Sequence, residues 1–174
     1  KGAQLSIRSL MNNPRQVMAG GPPLSKDGEV YAAAFPYFHI AGLTFAIGGL
    51  IFGAHAMLIP NPRDTDNFCD LMTNFPPTRL AAVPALYDML LANPKINDVD
   101  VSRLAVAKTG AAPMTDTTRN ALEAIIGKNK VSDVFGMTET GPCYTFHPLL
   151  AIRKGSVGLP VPHADVRIMD VETG

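Results

Sequence analysis

The sequence predicts an α/β fold, a mostly parallel sheet with crossover helices. Three observations carry that reading. Apolar runs of strand length alternate with helix-length segments, and the linkers between them are only a few residues long. Residues 30–62 contain no Asp, Glu, Lys or Arg, as strands buried on both faces require. The chain is 47% hydrophobic and only 17% charged, below the roughly 25% charged residues of ordinary soluble domains. Much of it must therefore be buried.

The elements follow in order. "EVYAAAFP" (29–36) reads as a buried strand and "HIAGLTFAIGGLIF" (39–52) as a helix. "AHAMLIP" (54–60) is a second strand, closed by the Asn61-Pro62 breaker. Phe68, Leu71, Met72 and Phe75 recur at i, i+3, i+4 and i+7, the stripe of an amphipathic helix that Asp64 or Thr65 caps and Pro76-Pro77 ends. "TRLAAVP" (78–84) is a third strand, and Pro84 suits the first turn of a helix with Leu86, Met89 and Leu90 on one face. "RLAVAKTG" (103–110) is a fourth strand; Thr115 then caps a helix that turns Leu122, Ile125 and Ile126 inward and ends at Gly127. "KVSDVFG" (130–136) is a fifth. After about residue 155 the pattern changes, and "ADVRIMD" (164–170) alternates in period two as a half-exposed antiparallel strand would. This divides the chain into an α/β part, residues 1–155, and the start of a β-rich part, residues 156–174.

Composition excludes several classes of function. Fifteen basic and fifteen acidic residues cancel, so there is no electrostatic footprint for nucleic acid. Cys69 and Cys143 make no disulfide framework, which points to a reducing cytoplasm. The four histidines lack zinc-ligand spacing. Residues 40–59 reach the length of a membrane span, but Gly48, Gly49, Gly53 and His55 break the run; a buried helix feeding a buried strand gives the same pattern. The chain opens on Lys1 and closes on Gly174 after a turn signal, so both ends read as cuts through something longer.

In open α/β sheets, ligands bind beyond the carboxyl ends of the strands. Three turns fall there: "PYFH" (36–39), "TGAAP" (109–113) and "FGMTE" (135–139). Gly110, Ala111 and Ala112 give a backbone with little side-chain bulk, which serves either as an ordinary β–α turn or as a bed for a flat base. Phe135 either closes the strand core or stacks on that base. The Thr138 hydroxyl can donate to a phosphate and the Glu139 carboxylate can hold Mg²⁺; the bland alternative is a helix start capped by Thr138. His39 is either a core histidine or a polar gate to an apolar pocket.

Taken together, "PYFHIAGL", "TGAAP", "FGMTET" and "GSVGLPVPHADVRIMD" resemble, in order and spacing, the adenylate-forming acyl-CoA synthetase superfamily. "LIPNPRD" (58–64) leans toward its long-chain fatty acyl-CoA ligase branch. The resemblance implies two half-reactions: a carboxylate attacks the α-phosphate of ATP to give acyl-adenylate and pyrophosphate, and the thiol of coenzyme A then displaces AMP. It implies that Thr138 contacts phosphate and Glu139 holds Mg²⁺. Gly110, Ala111, Ala112 and Pro113, with Asp133, Val134, Phe135, Gly136, Met137 and Thr138, would form the nucleotide site. His39, Gly136 and Met137 would line the pocket for a fatty or other apolar acid. Lys1-Gly2 resembles the tail of the family's phosphate loop, and "KGAQLSIRSLMNN" the helix that follows it.

There are departures. Phe135 stands where the family usually has Tyr. The rest of the phosphate loop, the ribose-binding Asp, the hinge and the C-terminal lid with its Lys lie outside this sequence, so the chain alone is expected to be inactive. Three alternatives stay open: an amino-acid- or aryl-acid-activating domain, a non-catalytic nucleotide-binding module, and a membrane-embedded piece. For amino acids, Asp133 is expected on the wrong side of the cleft to hold an ammonium group. The expected location is cytoplasmic, with peripheral association at a membrane left open.

Overall fold

A computed structural model describes residues 2–174. The reading of Lys1-Gly2 as a loop tail falls partly on Lys1, which lies outside the described residues. Helix α1 (Ile7–Ala19) begins at Ser6, whose hydroxyl accepts from the Ser9 amide, and runs through Pro14. Then come β1 (Val30–Ala33), α2 (Ile40–Phe52), β2 (His55–Ala56), α3 (Thr65–Asn74), β3 (Arg79–Ala82) and α4 (Pro84–Ala92). β4 (Val106–Gly110), α5 (Asp116–Ile126), β5 (Val131–Phe135), β6 (Thr145–Phe146) and β7 (Leu159–Pro160) complete the order. The caps are those the sequence offers: Asp64 accepts from the Asn67 amide at the start of α3, and Thr115 from Thr118 at the start of α5.

The strands form one sheet in the order β2-β1-β3-β4-β5-β6-β7. β1 to β5 are parallel, while β6 and β7 are antiparallel. From β1 the chain crosses outward through α2 to β2, then back through α3 to β3, so the direction of winding reverses between β1 and β3. Crossovers of one hand running in opposite directions put their helices on opposite faces. α1 and α2 therefore share one face of the sheet, and α3, α4 and α5 the other.

The main core lies on the second face. Leu80, Ala82, Ala107 and Val131 of the sheet meet Phe68, Cys69 and Met72 of α3, Leu86, Tyr87 and Leu90 of α4, and Leu122 and Ile126 of α5. The charge-free run resolves into α2, 13 residues or about 20 Å long, and the short β2. No helix among the described residues is long and apolar enough to cross a membrane.

One expected strand is absent. Residues 164–170 have no strand pairing; Ile168 and the neighbouring Val171 are fully exposed. A period-two pattern makes a strand only where another strand accepts its hydrogen bonds, and the described residues supply none beside it. Antiparallel pairing occurs earlier, at β6 and β7, as a continuation of the same sheet.

Candidate functional site

A cavity of about 580 Å³ opens between the sheet and the α1/α2 face. Its walls come from α1 (Pro14, Val17, Met18), from β1 and the turn after it (Tyr31, Phe35, Pro36, His39), and from α2 (Ile40, Thr44, Phe45). Arg79, Lys108, Gly110 and Val134 add the face of β3, β4 and β5, and residues 135–139 form part of the rim. It therefore lies where the winding reverses, at the carboxyl edge of the sheet, the usual ligand position of an open α/β fold.

The "FGMTETGP" stretch explains its own composition. At Gly136 a Cβ would stand 1.5 Å from the carbonyl oxygen of Pro142, so only glycine lets the loop fold back on itself. A 3₁₀ turn over Thr138–Thr140 follows, closed by Gly141 at φ +69°. Thr140, not Thr138, is the capping hydroxyl. Its Oγ1 donates to the Met137 carbonyl at 3.0 Å and accepts from the Met137 amide at 3.3 Å. That removes the alternative of Thr138 as a cap and leaves its hydroxyl without a hydrogen bond among the described residues. Glu139 is exposed on the rim and forms no ion pair among the described residues.

Phe135 is half exposed, with Tyr144 edge-on at 5.1 Å between ring centroids. The "TGAAP" turn leaves β4 with Ala111 at φ +66°. A Cβ at Gly110 would meet the Val134 carbonyl oxygen at 2.6 Å, so β4 and β5 end in close backbone approach.

His39 is exposed rather than a core histidine. It caps α2, with Nδ1 accepting from the Ala41 amide at 3.2 Å, so the neutral ring carries its proton on Nε2. Gly42 lets the Phe35-Pro36 backbone close onto this helix start; a Cβ there would lie 2.2 Å from the Pro36 carbonyl oxygen.

The cavity thus gathers His39, Gly110, Ala111, Val134, Phe135, Gly136, Met137, Thr138 and Glu139. Ala112 and Pro113 are exposed beyond it and do not line it. Asp133 is a correction. Its side chain lies on the opposite sheet face, bonded to Arg119 and at 3.0 Å to Nδ1 of the buried His147. Successive strand residues face opposite ways, so a contiguous "DVFG" cannot present all its side chains to one ligand.

Among the cavity residues that sequence reasoning missed are two cations, Arg79 and Lys108. Both are single basic residues inside otherwise apolar strands, which is the signal that marks them. Arg79 makes a buried ion pair with Glu29 at 2.9 Å, and its Nη2 donates to the Pro22 and Pro23 carbonyls. Burial pushes the Glu29 carboxyl up, but hydrogen bonds from Thr78, the Ser25 amide and Arg79 outweigh it and hold the group below its ordinary value. Lys108 is only 8% exposed, and its ammonium is 5.7 Å from the Phe146 ring centre. Burial, with nearby Arg79 adding to it, lowers the Lys108 pKa to about 8 against the opposing effect of Cys143. The Lys108 carbonyl is held from the far face by the Tyr87 hydroxyl at 2.8 Å. Arg79 Nη1, Thr44 Oγ1 and Thr109 Oγ1 are buried without a hydrogen-bond partner among the described residues, and all three residues line the cavity.

The chain is similar to known proteins along its full length. A "Long-chain-fatty-acid--CoA ligase" of Yersinia pestis is 34% identical over 175 residues, which cover 98% of this chain and 31% of the relative. A "4-coumarate-CoA ligase 2" of Narcissus pseudonarcissus is 28% identical, over 100% of this chain and 32% of the relative. The crystal structure of apo MatB from Rhodopseudomonas palustris superposes with a TM-score of 0.87 at 30% identity, across 100% of this chain and 34% of that one. The chain thus spans about a third of the length of the relatives it matches. Its residues 1–174 match the AMP-binding enzyme family, and the chain belongs to that family.

Proposed function

We propose that this chain is the acid- and nucleotide-binding part of an ATP-dependent, AMP-forming acyl-CoA ligase acting on a fatty or other apolar carboxylic acid. One observation carries the reading: an apolar cavity opens where the "TGAAP" and "FGMTE" turns meet. An acid lying in the cavity would hold its carboxylate at the rim, beside a nucleotide bedded on Gly110 and Ala111 against Phe135. A carboxylate oxygen bonds to the α-phosphorus as pyrophosphate leaves. The coenzyme A sulfur then attacks the acyl carbon, losing its proton, and AMP departs with the bonding electrons.

Glu139 fits Mg²⁺ by its chemistry. It is one exposed carboxylate next to a free hydroxyl, and Mg²⁺ typically takes one or two carboxylates and fills its sphere with phosphate oxygens and water. When bound, the ion would neutralise charge on the phosphates. Thr138 donates to a phosphate oxygen, and His39 offers its Nε2 proton at the acid end of the cavity. We assign residues 1–155 to the AMP-binding subdomain and 156–174 to the start of a β-rich part, with β6 and β7 leading from one to the other. A cytoplasmic setting suits the two unpaired cysteines. Activation of amino acids is disfavoured, because Asp133 is engaged on the wrong sheet face.

The test is pyrophosphate release by the full-length protein with ATP, Mg²⁺ and a panel of fatty, aryl and amino acids. Release with apolar acids that falls by about 100-fold or more in Glu139→Gln supports both the ligase reading and the metal role. Release indifferent to Glu139 removes the metal role, and release with no acid overturns the ligase reading.

A further inference from the structure

We propose, resting on the ligase chemistry but replacing the apolar acid of that reading, that the acid this cavity selects carries a second carboxylate, received by Lys108: a short α,ω-dicarboxylic acid rather than a simple fatty acid. The first ground is charge. Arg79, Lys108 and Glu139 line the cavity, and Glu29 pairs with Arg79 at its wall. Glu29 is fully committed to Arg79, Thr78 and the Ser25 amide. Among the described residues no carboxylate pairs with Lys108. On the inner wall, away from Glu139 on the rim, the Lys108 ammonium has only the Phe146 ring beside it, 5.7 Å to the ring centre, and its charge matches one carboxylate.

The second ground is unsatisfied hydrogen bonding on the same walls. Arg79 is 3% exposed, and its Nη1 has no partner among the described residues, nor does the buried Oγ1 of Thr44 on the facing helix. Buried donors without acceptors are costly, and an alkyl tail would leave all of them unmet. A carboxylate has about four acceptor positions for them.

The third ground is depth. Lys108 precedes Gly110 by two residues on the same strand face, so its Cα lies about 7 Å below the carboxyl edge where the reacting carboxylate would sit. Arg79 pairs with Val106, one pleat deeper. A spacer of a few methylene groups matches that backbone interval.

The experiment compares chain-matched acids, adipate against hexanoate and suberate against octanoate, in pyrophosphate release by the full-length protein with ATP, Mg²⁺ and coenzyme A. Each is run with wild type, Lys108→Met and Lys108→Arg. Wild type is expected to favour the diacid of each pair by about tenfold or more in kcat/KM. Lys108→Met should reverse the preference, a change of about 100-fold in the ratio, while Lys108→Arg keeps it. Wild-type preference for the monoacids, with a ratio unmoved by Lys108→Met, overturns the proposal and leaves the ligase reading intact. An equal loss for both acids in Lys108→Met also overturns it, since Lys108 would then serve the reacting carboxylate they share. Absence of release with every acid overturns the ligase reading beneath it. Should Lys108→Met fail to fold, the wild-type ratio still decides.

Discussion

The two faces of the sheet are built on opposite principles. On the face covered by α3, α4 and α5, side chains such as Phe68, Met72 and Leu90 are at most 1% exposed and meet across a dry core. On the α1/α2 face, the same strands present Arg79, Lys108 and Gly110 to a cavity. Since adjacent residues of one strand serve the two faces, Ala107 packs the core while Lys108 borders the void. Close packing is concentrated on one side and the cavity on the other, so substitutions one residue apart should differ in kind as well as size.

The largest effect tests that division. Phe68→Ala should cost about 3–5 kcal/mol, because it removes a ring from a close-packed core that cannot collapse around the gap. Phe45→Ala on the cavity wall should cost about 1 kcal/mol, since its ring already borders empty space. Equal losses in urea unfolding of the full-length protein would erase the distinction.

A smaller effect probes a place where the cavity face is structurally committed. Glu29→Gln should cost about 3 kcal/mol, because it strands the Arg79 guanidinium without its counter-charge. The folded-state pKa of Glu29 is lowered, so its contribution is present above the ordinary carboxylate range and is lost as pH falls through the folded value. Wild type should lose stability on acidification more steeply than the Gln variant does.

The smallest effect sharpens the comparison, because it concerns charge left uncompensated. The Lys108 pKa falls from about 10.4 in the unfolded chain to about 8 in the folded protein. Between those values the unfolded chain holds the extra proton, so stability rises with pH. Arg79 and Cys143 act on Lys108, and Cys143 titrates in the opposite sense. Burial pushes its thiol up to about 11 from about 8.5 when unfolded, so its contribution declines as pH rises through that interval. Wild type should therefore gain stability between about pH 8 and 9 and level off above. Cys143→Ala should extend the rise, and Lys108→Met should turn it into a decline, each by about 1–2 kcal/mol in thermal or urea unfolding.

Much of this architecture was legible from patterning. Strand-length apolar runs, cap residues and breakers located α2 to α5 and five parallel strands, and glycine-bearing turns marked the cavity edge. The strand order was not legible, because sequence separation does not say that β1 lies between β2 and β3. Parity was the deeper difficulty. "DVFG" reads as one motif, yet alternation sends Asp133 to Arg119 and His147 while Val134 faces the cavity. Residues 164–170 had the right period but no neighbouring strand. Arg79 and Lys108 were not legible as cavity residues, because a lone base in an apolar run does not reveal which sheet face it joins.

The contact between Gly136 and Pro142 has a consequence for binding. A loop that doubles back through a point with no room for a methyl group has few other shapes open to it. The close contact ties its shape to the fold itself rather than to any ligand. A ligand entering there meets a prepared surface and loses less of its binding free energy to arranging the protein. The same tightness means that variation at this site is channelled outward: the rim residues Thr138 and Glu139 can change chemistry, while the glycine that seats them cannot change at all without moving the backbone.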